Sequence, residues 1–237
     1  LRRSDLEFRE RARRYIAVGV VAAAVLSPWM IRNLTRFDEP VLVSNGSGIL
    51  VAQTNCDATY YGDKQGYWEY LCGLPQPVGA HGEPLDESRR DAEYRNRGLD
   101  YASQHWPRLV VHAIPKRVGR LWGIYAPIQQ LRADKLVEGR TFRLSVLGLV
   151  QYWFLLPLAG MGALTLRRSG RPLMPLLAWP LVVTVVAALT MGATRYRVPA
   201  EVALVLLAAV TLDTLAAHHL GRRRHRTNEG TARTLLR

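Results

Sequence analysis

Four stretches of the chain run almost without charge: Tyr15 to Ile31, Leu144 to Leu166, Pro172 to Thr194, and Val198 to Ala217, the last interrupted only by Glu201 and Asp213. Each has the roughly 17 to 25 residues that a helix needs to cross a hydrocarbon core of about 30 Å. One such run could be a buried helix of a soluble domain, but four in a chain of 237 residues leave too little polar surface to cover them. The pattern predicts transmembrane helices over 15–31, 143–166, 172–194 and 198–217. The long segment between the first two carries shorter periods. In "VLVSNGSGILVAQ", apolar residues alternate at Val41 and Val43, turn through Asn45-Gly46 and resume at Ile49 and Val51, which predicts a β-hairpin. After the turn-rich "PQPVGAHGEP", Asp86 or Ser88 caps a charged helix running towards His105, and Pro107 opens another. From Arg108 the chain places Leu109, Ala113, Leu121 and Trp122 on an apolar side and Arg108, His112, Lys116 and Arg120, four apart, on a polar one. That is the pattern of a helix lying in the membrane interface, broken or kinked at Pro115. Its cations suit either one lipid phosphate or a general attraction to anionic lipid. The expected fold is an α-helical multipass membrane protein of four transmembrane helices with a small extracytoplasmic α/β insert.

Charge supplies an independent test, because basic residues near membrane spans are retained in the cytoplasm. Residues 1–14, 167–171 and 218–237 carry net +3, +3 and +5, eleven of the net thirteen positive charges of the chain. Four crossings place all three on one side, as a cytoplasmic basic segment, a cytoplasmic loop and a cytoplasmic basic tail. The segment 32–142 holds fourteen Lys and Arg against thirteen Asp and Glu and is expected outside, as is the short loop 195–197. The basic balance therefore reports topology, and nucleic acid is not an expected partner; membrane lipids are. At the first exit, "SPWMIRNLTRF" sets Trp29 at headgroup depth, with Arg32 and Asn33 marking the passage into water. The chain opens on Leu1 and a charged amphipathic stretch with no cleavable signal, which predicts the middle of a longer protein.

Cys56 and Cys72, the only cysteines, both fall in the segment expected outside. An oxidising compartment favours a disulfide between them, and a metal site would need more ligands than His81 alone. A divalent metal remains compatible with the chain, but no site for one is visible and no cofactor is assigned. Asn33-Leu34-Thr35 and Asn45-Gly46-Ser47 match the glycosylation pattern and are read as turns. Between the cysteines, "YYGDKQGYWEYL" interleaves Tyr60, Tyr61, Tyr67, Trp68 and Tyr70 with charges. Such a run suits a sugar platform, a loop resting on headgroups, or packing beneath the disulfide. In "GATRYRVPAE", Arg195 and Arg197 face outward against the positive-inside trend. Arg197 and Glu201 are spaced to pair along a helix, while paired arginines at the rim of a membrane bundle are equally suited to phosphate oxygens.

The order of these features resembles integral-membrane glycosyltransferases of the C type, the group of lipid-linked protein mannosyltransferases and lipid A aminoarabinose transferases. "PWMIRNLTRFDEPVLVSNGSGILVAQTN" is similar to the family's exit from a late span followed by a strand-rich element. "YASQHWPRLVVHAIPKRVGRLW" is similar to its extracytoplasmic helices, and "TRYRVPAEVALVLLAA" to the start of its final span. The resemblance implies the C-terminal portion of a bacterial enzyme that moves a sugar from a polyprenyl-phosphate donor to an extracytoplasmic glycan, lipid or protein acceptor. It implies the cell (inner) membrane, with both termini cytoplasmic. The early spans and the first external loop, which holds the family's catalytic base, have no counterpart here, so no catalytic residue is carried over. Arg195 and Arg197, with Arg32 and Tyr196 behind them, are the candidate contacts to the lipid phosphate. The rival expectation is a non-catalytic scaffold or accessory subunit that binds a partner or cell-wall polymer outside.

Overall fold

A computed structural model describes the backbone of residues 8–235 and the side chains of residues 8–217. The basic tail expected over 218–237 and the first seven residues of the expected basic segment lie outside the described side chains. The helices, in chain order, are α1 (Phe8–Arg36), α2 (Ser47–Thr54), α3 (Asp57–Tyr60), α4 (Glu87–Gln104), α5 (Trp106–Arg108), α6 (Ile114–Leu121), α7 (Pro127–Glu138), α8 (Phe142–Arg168), α9 (Met174–Leu189) and α10 (Val198–Leu235). Three helical stretches are long and apolar enough to cross a membrane: Phe8–Arg36, Phe142–Arg168 and Thr194–Ala217. Their large apolar side chains, Val18, Leu144 and Val202 among them, stay exposed within the chain, which is how a helix solvated by lipid looks. The chain is a membrane protein on this ground.

Two expectations about the architecture are corrected. The span expected over 172–194 forms only the sixteen residues of α9, about 24 Å at 1.5 Å per residue, short of a hydrocarbon core. Pro175 sits in its first turn, and the helix stops at Thr190, whose φ of −117° and ψ of −93° leave the helical region. The α/β insert is also absent: among the described residues there is no strand, only an isolated bridge between Val78 and Pro84. The run expected as the second strand of a hairpin is instead α2. A short apolar run fits a strand or a buried helix equally well, and here tertiary contact selects the helix.

The chain folds as two units, one of residues up to Thr59 together with Trp68–Trp106, the other of Tyr60–Tyr67 together with everything from Pro107. In the first unit α2 lies against α4. Gly48 and Gly98 make that approach possible, since a Cβ on Gly48 would meet the Asp91 backbone and one on Gly98 would come within 2.6 Å of the Val51 carbonyl. Gly46, at φ 98°, turns the chain into α2 and has no side chain with which to cap it. The cap comes from α4: Asp91 Oδ1 accepts from the Gly46 N–H at 3.0 Å and the Gly48 N–H at 2.8 Å. These are donors that a helix start leaves without partners. Helix α4 is itself capped as expected, the Asp86 carboxylate accepting from the Ser88 N–H at 2.9 Å. Cys56 and Cys72 are disulfide-bonded. On α1, Trp29 Nε1 donates to the Val43 carbonyl at 2.7 Å. Asn33, expected in a turn facing water, is instead a buried helical residue whose carboxamide donates to the same carbonyl at 3.2 Å.

In the second unit α8 and α10 form the main helix pair. They meet at Gly162, where a Cβ would run into the Leu207 carbonyl, and Thr211 Oγ1 donates across the contact to the Leu158 carbonyl at 2.7 Å. Small residues at membrane helix contacts let backbones approach in this way. Leu131, Leu149, Tyr152, Ala159, Leu204 and Leu207 make the larger apolar cluster. Leu121, Val183, Ala187 and Ala200 make a second, which ties α6 to α9 and α10. The expected disturbance near Pro115 appears as a π-helical turn over Leu109–Ala113 that leads into α6.

Candidate functional site

Of the polar stripe expected to face lipid, Arg108, Lys116 and Arg120 turn to the segment 60–67 and only Arg120 is buried, while His112 stays exposed. Arg120 is 2% exposed, and the reason lies in the segment 60–67, which the second unit takes from between the cysteines. Arg120 Nε donates to the Gln65 carbonyl at 2.6 Å, and its Nη2 to Gln129 Oε1 at 2.6 Å. Its guanidinium lies 5.6 Å from the Tyr67 ring centroid and 5.3 Å from that of Tyr125. Lys116 donates to the Gln65 side chain, and Arg108 Nε to the Tyr60 carbonyl at 3.1 Å. The segment can lie this close because of Gly66, at φ 73°, where a Cβ would sit 2.6 Å from the Lys116 carbonyl carbon. Burial pushes the Arg120 guanidinium below its ordinary pKa, with the Tyr125 and Tyr67 rings opposing it. Arg117 is lowered for the same reason, opposed by its hydrogen bond to Tyr60. The aromatic run between the cysteines is thus divided: Tyr60 and Tyr67 are buried against α6, while Tyr61 and Tyr70 are exposed.

Among the described residues no carboxylate lies within ion-pair distance of Arg120. Its charge is met through an amide instead. Arg120 Nη1 donates to Gln130 Oε1 at 3.4 Å, and Gln130 Nε2 donates to Asp134 Oδ1 at 2.8 Å. The other oxygen of Asp134, which is 1% exposed, accepts from Thr194 Oγ1 at 2.7 Å. A buried cation and a buried anion are thereby joined through one neutral side chain, satisfying the requirement that interior charges be hydrogen-bonded. The chain of bonds also fixes the turn that carries Arg195 and Arg197.

Beside that turn a cavity of about 430 Å³ opens between α7, α8 and the start of α10. Leu131, Leu144, Gly148 and Leu149 make its apolar part, and Arg140, Thr141, Ser145, Thr194, Arg197 and Glu201 its polar part. Arg197 is buried; its Nε donates to Glu201 Oε1 at 2.7 Å and its Nη1 to the Leu121 carbonyl at 3.3 Å. The guanidinium carbon stands 3.5 Å from the centroid of the Tyr152 ring. Arg195, outside the lining, reaches Glu138 at 3.4 Å, and the same carboxylate takes Arg140 at 2.7 Å. The cavity is an amphipathic slot, its wall combining two arginines, three hydroxyls and the Glu201 carboxylate with aliphatic side chains, and its arginines are each held by a carboxylate, Arg140 by Glu138 and Arg197 by Glu201.

Of the four residues expected to contact a lipid phosphate, the structure brings three into one turn. Arg197 lines the cavity, Arg195 stands beside it through Glu138, and Tyr196 lies under Arg195, 5.2 Å from ring centroid to guanidinium, while packing on the Leu121 cluster. Arg32 belongs to the other unit, where its guanidinium lies 5.1 Å from the Trp29 ring centroid and donates to Asn33 Oδ1 at 3.2 Å. Arg140, Thr141, Ser145 and Thr194 were not legible as site residues. They are dispersed in sequence over fifty residues of ordinary polar composition, and only packing gathers them. Comparison with family models, with curated proteins and with solved structures finds no match to this chain.

Proposed function

We propose that the chain is part of a bacterial membrane glycosyltransferase that moves a sugar from a polyprenyl-phosphate donor to an extracytoplasmic acceptor. The observation that carries this reading is the slot beside Thr194–Arg197, whose wall brings Arg140 and Arg197 together with aliphatic residues where two membrane-length helices begin. Transfer from such a donor leaves a phosphate with growing negative charge, and donors placed where charge develops lower the barrier most. Arg140 and Arg197 would take that charge, with Arg195 supporting them through Glu138. In this reading 32–142 is outside and both ends of the chain are in the cytoplasm of the cell, following the basic flanks. That topology requires the short α9 to return the chain across the bilayer, which a helix below the core thickness accomplishes by local thinning.

The test is release of polyprenyl phosphate from a labelled polyprenyl-phosphate sugar by membranes that contain the protein. Arg140→Gln is the informative variant, because Arg140 lines the slot and its exposed side chain can be lost with the buried network intact. One charge-assisted hydrogen bond is worth about 1.5–3 kcal/mol, so kcat/KM should fall on the order of 10- to 100-fold. Release at the same rate from membranes lacking the protein would end the proposal.

A further inference from the structure

Helix α7 does not segregate apolar side chains inward: it exposes Ile128, Leu136 and Val137 along with Gln129, Arg132 and Lys135. Its buried residues are Gln130, Leu131 and Asp134, two of them polar and both joined to the hydrogen-bond chain described above. Its outward residues include Ile128 and Leu136, the latter 86% exposed. At 3.6 residues per turn, Lys135, Ile128, Arg132 and Leu136 fall within about 100° of the helix circumference. An aqueous surface helix would segregate the two kinds, apolar side in and polar side out. Isolated exposed apolar residues are ordinary; a helix that buries an amide and a carboxylate while presenting leucine and isoleucine is not.

What covers this face is indicated by its neighbours. Only 139–141 separate α7 from α8, whose apolar length crosses the bilayer. The loop before α7 adds Ile124, 77% exposed. Arg132 stands between Ile128 and Leu136 on the arc and Lys135 flanks them, an arrangement in which long cationic side chains lay their stems on hydrocarbon and send their heads to the phosphates.

We infer that the outer face of α7, centred on Ile128, Arg132, Lys135 and Leu136, lies in the surface of the lipid bilayer, with its two cations at anionic headgroups. The interfacial helix expected from sequence is therefore displaced from α6, whose two arginines are buried, to α7. The inference does not depend on glycosyl transfer, and it concerns a different surface from the slot.

The test uses the whole protein reconstituted in vesicles of phosphatidylcholine and phosphatidylglycerol. Nitroxide labels are placed one at a time on cysteines at Ile128, Ala133, Leu136 and Val137, without reductant so that the native disulfide survives. Labels at Ile128 and Leu136 should collide with lipid-soluble oxygen more than with a water-soluble nickel chelate, at about 5–10 Å below the headgroup boundary. The label at Ala133, off the arc, should show the reverse preference. Dominant collision with the nickel chelate at Ile128 and Leu136 would place the face in water and overturn the inference. Shielding from both reagents would put a protein on it, and would overturn it equally. Leu136→Asp in a chain labelled at Ile128 gives a second measurement: the label should move towards water, and an unchanged depth would count against the lipid contact.

Discussion

At the scale of single residues, the caps show how much depends on one acceptor. Asp86 is half-buried, and its hydrogen bond from the Ser88 hydroxyl holds its carboxyl below the ordinary carboxylate value, assisted by backbone N–H donors. A carboxylate whose pKa is depressed on folding contributes stability that is complete above its unfolded value, near 3.8, and disappears as pH falls through the folded one. Asp86→Asn should therefore keep nearly full stability at neutral pH, since asparagine caps about as well as aspartate. Its acid unfolding curve should lose the contribution that the wild type gives up below about pH 4. Comparing the two proteins in a pH series of thermal melts checks this, and parallel acid limbs would show that the cap does not titrate. Asp86 was visible as a cap in the sequence because N-capping is local. Asp91 was not, because the helix it caps starts more than forty residues earlier.

Helices approach one another on terms set by their glycines, and α8 offers an internal control. A Cβ at Gly162 would strike the Leu207 backbone, which cannot move aside as a flexible side chain can, whereas Gly160 has open space around it. Gly162→Ala should destabilise the α8–α10 pair by about 1–3 kcal/mol, the usual range for overpacking. Gly160→Ala should be neutral or stabilise by up to about 1 kcal/mol through helix propensity. Thermal unfolding in detergent separates the two, and equal shifts would mean that the pair is not closely packed at Gly162. Both glycines look alike in the run "LAGMGALTL". The period of apolar residues places the helix but says nothing about which side meets a neighbour when every side is apolar. The same limit explains α6. A stripe of cations four apart was legible, but whether it met water, lipid or the carbonyls of residues 60–67 was decided by a segment some fifty positions away.

For the whole molecule, the disulfide is the covalent constraint within the first unit, closing a sequence separation of sixteen residues. Replacing both cysteines with serine should cost roughly 3 kcal/mol in the chain-entropy account. Urea unfolding followed by a probe in α4 measures it, and an unchanged midpoint would assign the unit's stability to the α2–α4 contact alone. The two units also show that long-range organisation is not a matter of consecutive segments. Residues 60–67 leave the first unit to join the second and the chain then returns, an exchange with no compositional boundary at either end.

From its sequence alone the chain determined the existence and approximate limits of its long apolar helices, the cap of α4, the pairing of its two cysteines and the closeness of Arg197 to Glu201. Each of these rests on chain proximity, on a period of a few residues, or on there being only one possible partner. Tertiary structure alone decided that "GILVAQ" is a helix rather than a strand and that α9 stops short of a full span. It also decided that the arginines of α6 are interior, and that Arg140, Ser145, Thr194 and Arg197 share one slot. In each case the competing local conformations or environments are close in energy, and contacts made across tens of residues select between them.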